Sequence, residues 1–269
     1  MAAWFEDEEF WKSYASLMFD ERRWAETPAV VDGILRLAGL PLRLGRPGKG
    51  PRSRVLDTCC GVGRHSIEFA SRGFAVTGID ITTAYLDAAR ESATGLRNAP
   101  DFERADVRTF LRPRSFGLAV NLFRSFGYFD TPEEDLAALR NIAASLAPGG
   151  AFVLETLGKE LAARDFMEGE WFERDGCTVL TEYGVEGDWE GLRHRWILLR
   201  EGERIDRAFV LRLYSAREIK EALLASGFAS VEVFGSFDAS PYDDRAETMV
   251  ALARTPLAAG SVQRQVDFP

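Results

Sequence analysis

The sequence predicts an α/β fold in which a doubly wound, mostly parallel sheet carries an inserted antiparallel β-meander. Two observations support this class. Short apolar runs alternate with helical patterns between residues 54 and 156, and three long strand-like runs follow between 165 and 213. Alternating strands and helices form a parallel sheet with helices on both faces, because each crossover returns the chain in the same direction. The 269 residues suffice for one large domain with an insertion.

Residues 1–50 are predicted to form a helical lid and a connector. Aromatic and aliphatic residues recur at helical spacing in 4–19, so a first helix is expected there. Thr27 and Pro28 are typical of a helix cap and first turn, which predicts that a second helix begins at this pair. The stretch 41–54 is rich in Pro, Gly and Arg and is predicted to be an exposed connector.

Residues 51–164 are predicted to hold the parallel core. Its strands are expected in RVLDT (54–58), FAVTGID (74–80), FERADV (102–107), FGLAVNLF (116–123) and AFVLET (151–156). Helical patterns separate them. The helix before the last of these strands has a threonine cap at Thr131, Pro132 in its first turn and acids after it, all of which favour a helix start.

Residues 165–213 are predicted to form the inserted antiparallel cap. The strand-like runs are CTVLTEYGV, GLRHRWILLR and RIDRAFVLRLY, with the turns EGDWE and EGE between them. Residues 214–256 are then expected to complete the core with one helix, opened by a capping box at 215–218, and two strands. The tail, 257–269, shows no clear pattern.

Composition narrows the classes of partner. A net charge of -9 argues against nucleic acid, because phosphate binding needs a basic field. The three cysteines lack a C-x-x-C spacing, so neither a disulfide framework nor a metal site is expected. No stretch approaches the ~18 apolar residues of a membrane span, and the first residues do not follow a signal-peptide pattern. These features predict a soluble, cytoplasmic protein without a membrane partner.

A short glycine turn and three acids indicate a ligand site. In VLDTCCGVGRH, Gly61 and Gly63 lie between a strand and a helix, where the backbone can approach a ligand closely. Asp57, Asp80 and Asp106 each lie at the end of a predicted strand. An acid at the second of these places can bind a ribose diol. The pattern predicts a site for an adenosine with an amino-acid tail, whereas NAD would favour a third glycine after Gly63.

The motifs VLDTCCGVGRHS, GIDIT, ADV, NLFRSFGYF and LAPGG, in this order, resemble those of class I S-adenosylmethionine-dependent methyltransferases of the small-molecule type. The resemblance is strong over 54–157, and RLYSAREIKEALLASGF resembles the later part of the same family. It implies a Rossmann-like, seven-stranded sheet whose last strand is antiparallel. It also implies S-adenosyl-L-methionine as the cofactor and S-adenosyl-L-homocysteine as the product.

The resemblance assigns roles to the motif residues. It implies contacts of the methionine part with Asp57, Gly61 and Gly63, of the ribose with Asp80, of the adenine with Ile81, Asp106 and Val107, and of the sulfonium region with Asn121. Tyr14, on the first helix, would cover the cofactor, since related enzymes close the pocket with a tyrosine; core packing is the alternative.

The turn departs from the family pattern at one position. Cys59 replaces the first glycine of acid-x-Gly-x-Gly-x-Gly, so we expect a negative φ angle at Cys59 or a slightly wider turn. Cys59 and Cys60 are interpreted as small fillers beside the ligand. The alternative is a reactive thiol at the start of the following helix.

Three residues are candidates for catalysis. Tyr128 follows the fourth strand, where the family holds acceptors, although it could equally belong to a packed aromatic loop. His194 shares one face of its strand with Leu192 and Trp196; it is a candidate base, and a structural histidine is the alternative. Glu155, at the end of the fifth core strand, is the third candidate.

The function expected is methyl transfer to N or O of a small molecule by in-line displacement, in which the protein aligns the reactants and excludes water. The alternatives are a methyltransferase for a peptide, protein or RNA, and a non-catalytic S-adenosylmethionine-binding module. A nicotinamide enzyme is disfavoured. The aromatic inserted sheet is expected to roof an apolar substrate or to form a homodimer contact.

Overall fold

A computed structural model of the chain describes residues 3–44, 50–174 and 176–258, which form two β-sheets and seven α-helices in those ranges. Two predictions, the middle of the connector at 45–49 and the tail from 259, lie outside the described residues. Within the described ranges, no helix has the length and apolar character needed to cross a membrane.

The large sheet has the predicted seven strands. They are β1 (Arg54–Thr58), β2 (Ala75–Asp80), β3 (Asp101–Arg104), β4 (Phe116–Asn121), β5 (Leu146–Thr156), β10 (Ser230–Phe234) and β11 (Met249–Arg254). Their order across the sheet is β10-β11-β5-β4-β1-β2-β3. β11 runs antiparallel to both of its neighbours, and the other pairs are parallel. The expected seven-stranded, mostly parallel sheet with an antiparallel last strand is confirmed.

Helices cover both faces of this sheet. They are α1 (Glu8–Met18), α2 (Glu21–Ala38), α3 (Arg64–Ser71), α4 (Thr83–Ser92), α5 (Pro132–Ser145), α6 (Lys159–Arg164) and α7 (Ala216–Ala225). The apolar side chains of α2 and α3 pack on one face and those of α5 and α7 on the other. Two buried cores therefore sandwich the sheet, as the doubly wound class requires.

The start of α2 differs from the prediction. The helix begins at Glu21, because Asp20 caps it by accepting a hydrogen bond from the Arg23 N–H at 2.9 Å. Thr27 and Pro28 therefore lie inside the helix and do not begin it. The Thr27 hydroxyl donates to the Arg23 carbonyl at 2.8 Å, and the Pro28 carbonyl accepts from Arg72 at 2.8 Å. These bonds support a turn that proline would otherwise weaken.

The second sheet is antiparallel and contains one strand more than the sequence predicted. Its strands are β6 (Gly169–Arg174), β7 (Cys177–Glu186), β8 (Gly191–Arg200) and β9 (Glu203–Arg212), in that order. The additional strand, β6, was missed because all its residues except the half-buried Phe172 are exposed. Such a strand has no alternation of apolar and polar residues to detect.

Candidate functional site

A cavity of about 950 Å³ opens at the carboxyl ends of the central strands. The predicted residues in its wall are Asp57, Cys59, Gly61, Asp80, Ile81, Asp106, Val107 and Tyr128. Parallel strands end at the same edge of a sheet, which explains why acids from β1 and β2 meet here. The other predicted residues lie outside the wall of this cavity; they are Gly63, Asn121, Tyr14, Glu155 and His194.

Asp80 fastens the glycine turn to the end of β2. One of its carboxylate oxygens accepts the Gly61 N–H at 2.9 Å, and the other accepts the Thr82 N–H at 2.9 Å. Burial raises the pKa of Asp80, and these backbone bonds oppose that rise. Each oxygen retains a second lone pair, so the carboxylate can still accept hydrogen bonds from a ligand diol.

The expectation of a negative φ at Cys59 is wrong. Its φ angle is 55°, and those of Gly61 and Gly63 are 55° and 75°. The turn thus keeps three left-handed residues at alternate positions, and the cysteine tolerates the conformation that glycine prefers. A Cβ atom on Gly63 would lie 2.6 Å from the Phe102 ring, so this glycine serves the packing of the turn against β3.

The paired cysteines are uncharged thiols, of which Cys60 is buried and Cys59 is partly buried. Burial raises the pKa of both Cys59 and Cys60, and the neighbouring carboxylates of Asp57 and Asp80 raise it further. A thiol that keeps its proton is a poor nucleophile, which supports their interpretation as fillers. Among the described residues, no group of three or more His, Cys, Asp or Glu side chains could hold a metal ion.

Asp57 is a buried carboxyl group at the inner end of the cavity wall. Its side chain accepts a hydrogen bond from the Ser66 hydroxyl at 2.6 Å, and the residue is only 2% exposed. Burial raises the pKa of Asp57 to about 7, against the opposing effects of Ser66 and Arg64. A ligand cation placed beside this carboxyl would favour its charged form.

Arg64 lines the same part of the cavity and was not assigned a role from the sequence. It is 6% exposed, and its guanidinium donates to the Thr27 hydroxyl at 3.0 Å and lies 5.1 Å from the centre of the Phe123 ring. Burial lowers the pKa of Arg64 to about 10, so it remains a cation at neutral pH. The sequence signal for a role of Arg64 was its position directly after the glycine turn, in the first turn of α3.

The loop after β4 has an unusual backbone that Glu155 holds in place. Phe123 and Arg124 have φ angles of 60° and 59°, in the left-handed region. The Phe123 N–H donates to one Glu155 oxygen at 2.5 Å, and the Thr248 hydroxyl donates to the other at 2.8 Å. Non-glycine residues in this region cost energy and cluster at functional sites. The contacts favour a positioning role for Glu155.

Asp106 and Val107 form the far end of the cavity wall. The Asp106 carboxylate accepts bonds from the Arg108 guanidinium at 2.6 and 2.9 Å. Arg108 also pairs with Glu134 at 2.7 Å and lies 4.8 Å from the centre of the Phe129 ring. This network fixes the carboxylate at the edge of the cavity.

Asn121 lies behind the cavity wall, at the end of β4. Its amide nitrogen donates to the Thr58 hydroxyl at 3.1 Å, and Thr58 in turn donates to the Val120 carbonyl at 2.8 Å. The Asn121 side-chain oxygen is buried and has no hydrogen-bond partner in the described part of the chain. A buried polar atom of this kind is rare unless a ligand or water satisfies it.

Helix α1 covers the cavity through residues other than Tyr14. Trp11, Met18 and Phe19 line the cavity, and the Tyr85 hydroxyl donates to the Trp11 carbonyl at 2.6 Å, which ties α1 to α4. Tyr14 is 1% exposed and packs 5.4 Å from Trp196 of the inserted sheet. Tyr14 therefore connects α1 to the inserted sheet and does not line the cavity.

The other two candidates for catalysis have different surroundings. Tyr128 lines the cavity, and burial raises the pKa of its phenol, so it stays protonated at neutral pH. His194 stacks on Phe209 at 4.9 Å, and burial lowers the pKa of His194 to about 4. Both of its ring nitrogens are buried without a partner among the described residues. A histidine with so low a pKa is a weak base.

Comparison with known proteins identifies the family of the core. Residues 55–150 match the sequence model of a methyltransferase-domain family. The dTDP-3-amino-3,4,6-trideoxy-alpha-D-glucopyranose N,N-dimethyltransferase of Streptomyces venezuelae is 33% identical over 130 residues, which are 47% of this chain and 52% of that protein. The glycine N-methyltransferase of Rattus norvegicus is 30% identical over 146 residues, 49% of this chain and 46% of that protein. The matches therefore span about half the length of these two relatives.

Solved structures share the fold over nearly the whole chain. An S-adenosylmethionine-dependent methyltransferase from Clostridium acetobutylicum superposes with a TM-score of 0.72 at 15% identity, covering 92% of this chain and 98% of that one. An amino pentose methyltransferase from Micromonospora echinaspora, solved with S-adenosylmethionine bound, has a TM-score of 0.63 at 24% identity, covering 92% and 97%. Residues 55–150 thus match a methyltransferase-domain family, and the fold built around them is the one shared with these S-adenosylmethionine-dependent methyltransferases.

Proposed function

We propose that the chain transfers a methyl group from S-adenosyl-L-methionine to a nitrogen or oxygen atom of a small-molecule acceptor. The observation that carries this proposal is the cavity wall on which Asp57, Asp80 and Asp106 surround the Gly61 turn. Relatives are named as N-methyltransferases of amino sugars and glycine and as O-methyltransferases of ubiquinone biosynthesis, and the amino-sugar enzyme with 33% identity favours nitrogen.

The residues present fit the cofactor group by group. Asp80 would accept the ribose hydroxyls, and Asp106 with the Val107 N–H would bind the adenine edge, against which Ile81 packs. At the other end, Asp57 would bind the ammonium of the amino-acid tail and Arg64 its carboxylate, because each presents the opposite charge. The unpaired oxygen of Asn121 is a further polar group near this wall.

The cofactor supplies an activated methyl group, so the protein's contribution is alignment and exclusion of water. Trp11 of α1 and Phe19, directly after it, line the cavity and would exclude water from the bound cofactor. Tyr128 would orient the acceptor, since its raised pKa keeps the phenol protonated and able to donate. A base is needed only for an acceptor that arrives protonated; His194 and Glu155 remain proposals for that role.

Two wider expectations remain proposals. The acidic chain favours a small-molecule acceptor over RNA, whose phosphates would be repelled; a peptide acceptor and a non-catalytic binding module are the alternatives. We also propose a cytoplasmic protein and a homodimer through the inserted sheet, whose outer face exposes Trp171 and Leu199.

Thermal unfolding with and without S-adenosyl-L-homocysteine tests the cofactor site. A ligand that binds only the folded state stabilises it by roughly 2.7 kcal/mol at a hundredfold excess over Kd. We expect an upward shift in Tm for the native chain and none for Asp80→Ala. Asp87→Ala is the matched control, because Asp87 pairs with Arg90 on the exposed side of α4. Absence of a shift in the native chain at millimolar ligand would overturn the proposal.

A further inference from the structure

A second cavity, open to solvent, adjoins the first at the rim of the inserted sheet. Its wall comes from the N-terminal turn at Trp4, the loop at 128–130, the turn between β7 and β8, and the end of β9. Tyr128 and Phe129 line both cavities. These two aromatic rings are the partition between the proposed cofactor space and the second cavity, and an acceptor held in the second cavity must reach past them for its nitrogen to meet the methyl group.

The second cavity is acidic. Asp130, Glu186 and Glu190 line it, and Glu186 is 3.7 Å from its cationic neighbour Arg193. Neither Asp130 nor Glu190 forms an ion pair within the described ranges. Arg212 also lines this cavity, but its guanidinium forms an ion pair with Asp135 and not with these three acids. Carboxylates therefore outnumber the positive charge available to a ligand.

Arg212 is held by groups behind the wall. Its guanidinium donates to the fully buried carboxylate of Asp135 at 3.0 Å and to the backbone carbonyl of Asp130 at 2.8 Å. Burial raises the pKa of Asp135 to about 6, and Tyr214 and Arg212 oppose that rise, so the carboxylate is charged at neutral pH. Its charge compensates that of Arg212, which leaves the field in the cavity negative.

The wall next to the partition is aromatic. The Trp4 and Tyr128 rings lie 4.8 Å apart at 61°, and Trp4 also stacks on Phe209 at 4.0 Å. Aromatic faces attract cations, and the attraction is stronger where water is excluded. The Tyr128 hydroxyl forms no hydrogen bond with another described residue, so it is available to a ligand on either side of the partition.

We propose that the second cavity binds the methyl acceptor, and that this acceptor is a cationic amine without a phosphate group. The inference rests on the proposed methyl transfer and adds the acceptor's chemistry. Relatives of this chain are named for dTDP-linked amino sugars. A nucleotide diphosphate would bring its negative charge against Asp130, Glu186 and Glu190, whereas an ammonium group is attracted by all three.

Bonds, protons and charges balance when the methyl group is transferred to such an acceptor. The ammonium group releases one proton to solvent, and the nitrogen lone pair then forms the bond to the methyl carbon. The electron pair of the breaking carbon–sulfur bond stays on sulfur, which becomes a neutral thioether. The nitrogen becomes positively charged as it forms this bond, so the net products are a methylammonium, S-adenosyl-L-homocysteine and the one proton released at the start.

Binding to the protein saturated with S-adenosyl-L-homocysteine tests this assignment by calorimetry. The probes are methylamine, cyclohexylamine and glucosamine as cations, with glucosamine 1-phosphate and N-acetylglucosamine as the phosphorylated and neutral counterparts. We expect saturable binding of at least one amine and none of the two counterparts. Glu190→Gln and Asp130→Asn should each weaken that binding about tenfold or more. Glu182→Gln, on the outer face of β7 where it pairs with Arg195, is the control and should leave it unchanged.

The outcomes separate the two proposals. Failure of S-adenosyl-L-homocysteine to bind would overturn the proposed function itself. If it binds while none of the three amines does, the acceptor assignment is wrong and the cofactor site stands. Equal or tighter binding of glucosamine 1-phosphate than of glucosamine would also overturn it, as would amine binding that survives both Glu190→Gln and Asp130→Asn.

Discussion

The buried surroundings of Asp57 set the pKa of its carboxyl group, and this pKa determines how stability and ligand affinity depend on pH. An aspartate in an unfolded chain has a pKa of about 3.9, whereas burial raises the pKa of Asp57 to about 7 in the folded protein. Because the folded value is raised, the protonated group favours folding. That contribution to stability is complete below about pH 4 and is lost as the pH rises through about 7.

The same shift predicts a pH dependence of ligand affinity. The ammonium group of S-adenosyl-L-homocysteine should bind the charged carboxylate of Asp57, so binding must remove its proton below about pH 7. We expect Kd to fall with rising pH between 5 and 7, by up to about tenfold per pH unit. Calorimetry in buffers of different ionisation enthalpy should show proton release near pH 6. Asp57→Asn should abolish this release, and a Kd independent of pH in the native chain would contradict the assignment.

Residue 59 shows what the sequence could not reveal at this scale. The order of the motifs predicted where the ligand site lies, and a glycine at 59 would have predicted the left-handed turn directly. A cysteine there disfavours that conformation by roughly 1 to 2 kcal/mol, so sequence reasoning predicted the opposite φ sign. The neighbours of Cys59 override its preference, because the bond from Gly61 to Asp80 already fixes the turn.

At the scale of elements, α1 is attached to both sheets at its first turn. The side chain of Asp7 caps the helix by accepting the N–H groups of Glu9 and Phe10 at 3.1 and 3.2 Å, and it also accepts from Arg207 of β9 at 2.9 Å. Thr83, at the start of α4, donates its N–H to Glu8 at 3.2 Å. The bonds at this helix terminus therefore add to the attachment that Trp11 and Tyr14 provide further along α1.

Removing the cap should loosen the lid more than the fold. Asp7→Ala is expected to cost about 1 kcal/mol of stability, the usual value for a lost N-cap, and to raise the Kd for S-adenosyl-L-homocysteine several-fold. Ser215→Ala removes the comparable cap of α7, a helix that does not line the first cavity. It should cost similar stability with little change in Kd. Urea unfolding and calorimetry measure the two quantities, and an equal effect of both variants on Kd would contradict the lid role of α1.

The elements that were predicted correctly share a strong local signal, and the missed features lack one. The core strands are short apolar runs because both of their faces are buried. β6 is exposed on both faces, so its existence depends on pairing with β7 along residues 169–174. The start of α2 was misplaced because Asp20 and Pro28 both resemble helix starts, and the bonds around Thr27 that permit an internal proline are tertiary.

On the scale of the whole molecule, the N-terminal segment joins the two sheets. Trp4 stacks on Phe209 of the inserted sheet, while Trp11 receives a hydrogen bond from Tyr85 of α4 on the large sheet. On the other side of the inserted sheet, Arg174 pairs with Asp20 at the start of α2 at 3.2 Å. A ligand in the first cavity would contact this segment directly. Its binding should therefore reduce local opening at the interface between the two sheets.

Hydrogen exchange with and without S-adenosyl-L-homocysteine tests this coupling in the intact chain. Slower exchange is expected in the glycine turn at 59–63 and also throughout Glu8–Met18, because the ligand would pack against Trp11 and Phe19 and hold α1 closed. The edge strand Ser230–Phe234 is the internal control, since β11, β5 and β4 separate it from β1 and β2 in the large sheet, and it should be unchanged. Protection confined to 59–63 would show that α1 opens independently of the ligand. Protection that includes α1 but spares β10 would identify the N-terminal segment as the part of the molecule through which cofactor binding closes the space beside the second cavity.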